Sequence, residues 1–229
     1  MENRFDSKPA VKLALCVPSL GEWKAGFAMS FAQMCVHLTS NLFEADQSRQ
    51  IIVSEKRSSC LCSSRQMMLQ DAMMQDCTHA LFLDSDQMFP QDVAHRLMAH
   101  KKPVVAANIA LKTIPSFPTA RLRGATSFGA PLTSGPDRHG LERVWRVGTG
   151  IMLIDLAIMR DIPLPWFEVR WDHEAKLHVT EDWYLCSLFE KHGHEIYIDH
   201  DLSREVGHVG DFNYTHVNIP QLPAELAAA

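Results

Sequence analysis

A chain of 229 residues, 46% hydrophobic and 21% charged, is long enough for one α/β domain with a full core and too ordinary in composition for a disordered or fibrous protein. Its formal net charge of −5 excludes a uniformly basic nucleic-acid binder. No apolar run approaches the ~20 residues of a spanning helix, and the polar start MENRFDSKPA lacks a signal-peptide core, so a soluble cytoplasmic protein is expected.

After a tail over 1–10, residues 11–17 (VKLALCV) make an apolar run ended by Pro18, which predicts a buried strand. Phe27, Phe31, Met34, Cys35 and Leu38 recur at helical spacing and predict a helix over 26–38. A second strand is expected at 51–53. A helix at 64–75 follows, with Met67, Met68, Ala72 and Met73 near one face as core filling. Residues 79–83 form a third apolar strand leading into Asp84-Ser85-Asp86, followed by a short helix at 91–100 and a strand at 103–109. Residues 114–136, rich in Pro, Gly, Ser and Thr, read as a long loop. Strands are expected at 144–147 and 150–155. Thr180 opens a helix running to about His192, where Gly193 stops it; 195–198 is the last strand and 219–229 an alanine-rich tail. Alternating strands and helices predict an α/β domain over 11–218 with a mostly parallel mixed sheet flanked by helices. In such sheets ligands sit beyond the carboxyl ends of the strands. Of the six cysteines, Cys16 and Cys186 read as small buried hydrophobes, and Cys60-x-Cys62 lacks the spacing and second pair of a zinc site.

Three groups of residues carry chemistry. Asp84 and Asp86, one residue apart at a strand end, can hold a hard divalent cation (Mn2+ or Mg2+), which neutralises a diphosphate leaving group. Asp199-His200-Asp201 repeats the spacing after another strand; the apolar run before Asp84 favours the first pair. Arg65, at the start of the preceding helix, can meet a phosphate bidentately. Glu181 and Asp182 fall in the first turn of a helix, where the dipole favours their ionised form and a rigid helix end can hold a general base. His208, between Gly207 and Gly210, can supply a nitrogen ligand to a metal otherwise held by carboxylates.

The order of these groups resembles GT-A glycosyltransferases, especially short stand-alone family 2-like forms of phages and bacteria, over 11–211. The run LALCVPS resembles the family's first strand and nucleotide-binding turn, although Leu20-Gly21-Glu22 stands where Asn is frequent. VGTGIMLIDLAIM resembles the strand facing donor sugar and acceptor. TEDWYLCSLFEKHGHEIYIDHDLSREVGHVG resembles the acidic pair, amphipathic helix, strand and closing Gly-His. The resemblance implies a single GT-A (Rossmann-like) domain and a nucleotide-sugar donor, a UDP-sugar first. Pro18 and Ser19 would border the base, and Arg65 would contact the nucleotide. Asp84 would touch ribose or metal, Ser85 would lie between the two acids, and Asp86 and His208 would ligate the metal. Gly148, Thr149 and Gly150 would shape the sugar pocket. Asp182, with Glu181 beside it, would be the base of an inverting displacement, and Trp183 would face the acceptor.

The segment 101–146 carries eight Lys or Arg against two acids, a net +6 in a chain that is otherwise acidic. With Lys112, Arg121 and Arg123 as its contacts, it points to a polyanionic acceptor, hydroxymethylated pyrimidine in phage DNA first, with Phe117 and Phe128 as stacking groups. A glycan or protein acceptor is the alternative. A nucleotidyltransferase would show a glycine-rich basic loop after the first strand, where PSLGEWKAG stands. A non-catalytic sugar-nucleotide-binding module would have no need of the full set Asp84, Asp86, Asp182 and His208.

Overall fold

The computed structural model describes residues 11–40, 49–124, 126–173, 176–210 and 212–220. The expected tails at 1–10 and 221–229 lie outside the described residues, as does Asp211. In chain order the elements are β1 (Val11–Ser19), α1 (Ala25–Leu38), β2 (Arg49–Arg57), α2 (Leu61–Met74), β3 (His79–Leu83), β4 (Gln87–Met88), α3 (Val93–Ala99), β5 (Val104–Ala106), β6 (Arg121–Leu122), β7 (Ala130–Pro131), β8 (Leu141–Val144), β9 (Ile151–Asp155), β10 (Arg170–Asp172), β11 (Leu177–Val179), α4 (Glu181–Lys191), β12 (Ile196–Asp199), α5 (His200–Glu205), β13 (Gly207–Val209) and β14 (Asn213–Tyr214).

Seven strands form the central sheet in the order β2-β1-β3-β9-β5-β12-β8. Five run the same way; β9, between β3 and β5, and β8, at one edge, run against them. Strand alternation sorts the core. Leu13, Leu15, Val17, Leu81 and Leu83 pack on one face against Phe27, Phe31 and Met34 of α1 and Val93 and Leu97 of α3. Ala14, Cys16, Ala80 and Phe82 face the other way, onto Met68 and Leu69 of α2 and Leu185 and Phe189 of α4. Helices therefore cover both faces, as the alternating pattern requires.

Pro18 does not end β1. Pairing with β3 stops at Cys16, and the β1–β2 ladder continues to Ser19. The missing N–H of Pro18 falls on the side where no partner remains, so it costs no ladder bond. The methionine face of α2 is also displaced from its expected position. Ser64, Arg65, Met68, Leu69 and Ala72 are buried, and Met67 is exposed. Gly193, at φ +78°, ends α4 where expected, because only glycine takes that conformation without strain. The loop over 114–136 is largely irregular but contains the small β6–β7 pair. Ile219 packs on Ala110 and Tyr214, one residue past the expected boundary. Among the described residues no helix is long and apolar enough to cross a membrane.

Candidate active site

At the carboxyl end of β3 the chain turns tightly: Gln87 N donates to Asp84 O at 3.0 Å, and Asp84 N donates to Gly150 O at 2.8 Å. β4 then pairs antiparallel with β13, His208 opposite Gln87, and Val209 N donates to Asp86 O at 2.8 Å. This two-residue ladder is what brings His208 to the acidic turn. Its Nε2 lies 3.4 Å from Asp86 Oδ1, and its Nδ1 is hydrogen-bonded to Ala110 O at 2.9 Å. The other oxygen of Asp86 accepts from the ammonium of Lys112. The Lys112 stem crosses Gly210, where an added Cβ would stand 3.2 Å from Lys112 Cδ. Burial pushes the Asp86 carboxyl up, but His208 and Lys112 outweigh it and hold it at about 2.

Arg65 is buried, only 3% exposed, and joins three elements. Its Nη2 reaches both oxygens of Asp84, at 2.8 and 3.1 Å, and its Nη1 reaches Glu181 Oε1 at 2.5 Å. Burial disfavours this cation, but Asp84 and Glu181 more than restore it. Glu181 is pushed up by burial against the pull of Arg65. The two residues pair in the wall between the site and the core, and the buried Nε of Arg65 is left without a partner.

Asp182 is held differently. Its Oδ1 accepts from Trp183 N at 2.8 Å and from the Thr180 hydroxyl, so Thr180 steadies the carboxylate instead of capping the backbone. Its Oδ2 faces Gly148, where an added Cβ would lie 3.5 Å away. A Cβ on Gly150 would fall 3.1 Å from Asp84 Oδ2 and 2.8 Å from Ile109 Cδ1. Gly148-Thr149-Gly150 thus threads between the two acids because it lacks side chains where they approach. Thr149 is buried with its hydroxyl unpaired, and so is Gln87 Oε1.

Two cavities flank this row. One, of about 360 Å3, is bounded by Pro18, Ser19, Asp84, Ser85, Asp86 and His208, together with Ser58, Ser59 and Leu61. The last three were not anticipated; their only signal is a polar run between a strand and a helix. The Ser19 hydroxyl donates to Glu55 at 2.6 Å. The second, of about 240 Å3, is bounded by Asp182, Trp183, Arg121, Phe128, Thr119 and His178 among others. Arg65 and Glu181 line neither. A larger cavity of about 590 Å3, beside Trp145 and Glu190, contains none of Asp84, Asp86 or Asp182.

The second Asp-x-Asp pair is structural. Asp199, 4% exposed, caps α5 by accepting from Leu202 N at 2.9 Å and pairs with His100. Asp201 accepts from Gly140 N at 2.8 Å and pairs with His139 and Arg204. The positive segment is no continuous stripe either. Lys112 pairs with Asp86, Arg123 with Glu190, Arg138 with Glu142 and Arg143 with Glu195. Arg123 stacks over Trp145 at 4.9 Å and lines the large cavity, away from Asp182. Phe128 stands edge-on to Trp183.

The sequence matches no family model and no curated protein sequence. Among solved structures the chain is similar to A197 from STIV, with a TM-score of 0.58 at 17% identity over 93% of this chain and 98% of that one. S. aureus TarS 1–349 aligns with a TM-score of 0.42 at 14% identity, over 83% of this chain and 58% of that one. At such identities the first likeness concerns the fold: a seven-stranded, mostly parallel α/β sheet flanked by helices.

Proposed function

We propose that this protein is a glycosyltransferase that moves a sugar from a nucleotide-sugar donor to an acceptor hydroxyl. One observation carries the reading. Asp86 and His208 meet on the wall of one cavity, Asp182 opens on another, and the Gly148-Thr149-Gly150 segment runs between Asp182 and Asp84, a glycine at each close approach. The first cavity takes the donor, with Pro18, Ser19 and Ser58 toward the nucleoside and Asp84, Ser85 and Asp86 toward ribose and diphosphate. Asp182 Oδ2 takes the proton of the acceptor hydroxyl as it attacks the anomeric carbon from the side opposite the departing diphosphate, which inverts that carbon. Arg65 and Glu181 act as positioning residues: the guanidinium fixes Asp84 and the first turn of α4 in one frame.

The donor set fits a divalent cation with two protein ligands. His208 donates from Nδ1 to Ala110 O, so a cation that displaced the Nε2 proton would meet a ring lone pair aimed at an oxygen of Asp86. Two lone pairs facing at that distance suit a shared cation. Asp84 is bound to Arg65, and no group of three His, Cys, Asp or Glu side chains among the described residues converges closely enough to hold a metal unaided. Donor phosphate oxygens would complete the sphere. A Mn2+ or Mg2+ there would neutralise charge on the leaving diphosphate.

For the acceptor, we propose hydroxymethylated pyrimidine in DNA as the first candidate, on the strength of Arg121, the cation that lines the second cavity. The test offers UDP-sugars and other sugar nucleotides with and without Mn2+, reads nucleoside diphosphate release, and supplies hydroxymethylated DNA, unmodified DNA, glycans and peptides as acceptors. Metal-stimulated release that Asp86→Ala abolishes is expected. No release from any donor would sink the transferase reading; incorporation into glycan or peptide alone would sink the DNA reading.

A further inference from the structure

Of the cations in the segment 101–146, Arg121 is the one that lines the second cavity. It is held on both sides by backbone: β6 pairs with β7, Arg121 N donates to Arg146 O at 2.8 Å, and Arg121 O accepts from Trp145 N at 2.8 Å. Arg121 lines the cavity, half-buried, its Nε buried without a partner and no carboxylate paired with it among the described residues. Burial lowers its proton affinity, with no acid offsetting the effect. A rigidly placed, partly desolvated guanidinium without a counterion is costly unless a ligand supplies the anion. The planar fork of arginine matches two oxygens of one phosphate.

The rest of the cavity says what accompanies that phosphate. Phe128 and Trp183 form an aromatic wall, their rings 6.3 Å apart. Arg146 stiffens it from behind, its guanidinium 3.8 Å from the Trp145 ring and 4.8 Å from the Trp183 ring. The volume of about 240 Å3 falls below the ~300–1,000 Å3 of drug-sized sites and suits one ring with one phosphate, not a branched chain. Asp182 opens on the same space.

Resting on the reading of this cavity as the acceptor site, we propose that it recognises a phosphorylated ring compound as a single unit: the ring lies against Phe128 and Trp183, and one phosphate sits on Arg121. A polyanion tracked along a charged stripe is not required, because four of the eight cations in that segment are paired with acids of the protein. A free nucleotide or sugar phosphate and a nucleotide within a strand share this chemistry.

Binding is measured by calorimetry, without donor, for three kinds of probe: 5-hydroxymethyldeoxycytidine and its 5′-monophosphate; glucose and glucose 6-phosphate; and a short hydroxymethylated oligonucleotide. In at least one pair the phosphorylated member binds roughly tenfold tighter, as expected for a charge-assisted pair of hydrogen bonds. Arg121→Gln removes that preference while the neutral member still binds, which shows the cavity intact; Arg121→Lys retains part of it. An oligonucleotide no tighter than the mononucleotide identifies the free compound as the source, and a tighter one identifies the strand. Absence of phosphate preference in both pairs, or its survival in Arg121→Gln, overturns the proposal. Donor cleavage is read separately at the other cavity, so a wild-type protein that cleaves donor but shows no phosphate preference in either pair refutes this inference alone.

Discussion

Replacing Arg65 with Met keeps an unbranched apolar stem, shortened by the outer part of the guanidinium, and removes the charge from between two acids. Glu181 has a side-chain exposure of 12%, whereas Asp84 keeps 29% and therefore some of its water. Most of the cost falls on Glu181, left as a carboxylate in the wall of the site. Removing one partner of a buried pair costs about 3–5 kcal/mol, a large part of a typical stability. In a domain of this size that lowers the melting temperature by roughly 6–20 °C. The loss depends on pH in a defined direction. Glu181 already binds its proton more tightly in the fold than in the open chain, and loses its one cationic restraint in the variant. The folded variant therefore takes up protons ahead of the unfolded chain, and its stability falls as pH rises through the raised carboxyl range. Urea melts of wild type and Arg65→Met at pH 5 and pH 7.5 should show the larger deficit at pH 7.5, with Glu181→Gln in the variant background restoring part of it. A deficit below about 1 kcal/mol, or one equal at both pH values, would refute the assignment of Arg65 as the counterion that makes this wall tolerable.

Asp182→Asn keeps the shape of the side chain and its bond from Trp183 N, and turnover should fall by about 10²–10⁴-fold while donor binding, followed calorimetrically, survives; a near-normal rate would exclude it as the base. Asp86→Ala and His208→Ala should each cripple transfer in a folded protein. Asp199→Ala should instead cost about 0.5–2 kcal/mol through its lost helix cap and leave turnover near normal; the reverse pattern would relocate the site. Gly150→Ala pushes a methyl against Ile109 and Asp84. It should weaken donor binding more than it lowers melting temperature, and unchanged binding in the same titration would contradict the close approach.

Long apolar runs made the large elements legible. β3 falls on the expected residues, because HALFL is buried from its second residue on and polar beyond both ends. The short elements had no such signal. β4, β13 and β14 are two or three residues long, and β4 meets β13 through a pairing of Gln87 with His208 that no local pattern reveals. Yet it is this pairing that places His208. α5 was hidden because its six residues show no apolar stripe, so Asp199 looked like a second metal motif when it is a cap. Asp86 and Asp182 stand out in the sequence as candidates by type and order. The partners of Lys112, Arg123 and Arg143 lie at Asp86, Glu190 and Glu195, each distant in sequence from the cation it meets, so a count of charges along the chain overstated the field.

The reversed direction of β9 has a consequence for divergence and engineering. Because this strand enters the sheet from the end at which its neighbours finish, a single stretch of chain passes Arg146, which stiffens the wall of one cavity, and four residues later Gly150, which abuts Asp84 at the other. Insertions in the irregular segment around Phe128 can reshape one cavity and leave the other untouched. Insertions between β8 and β9 would move both at once. Chimeras that exchange 124–129 should therefore change one preference at a time, and those that exchange 145–150 should alter the two together.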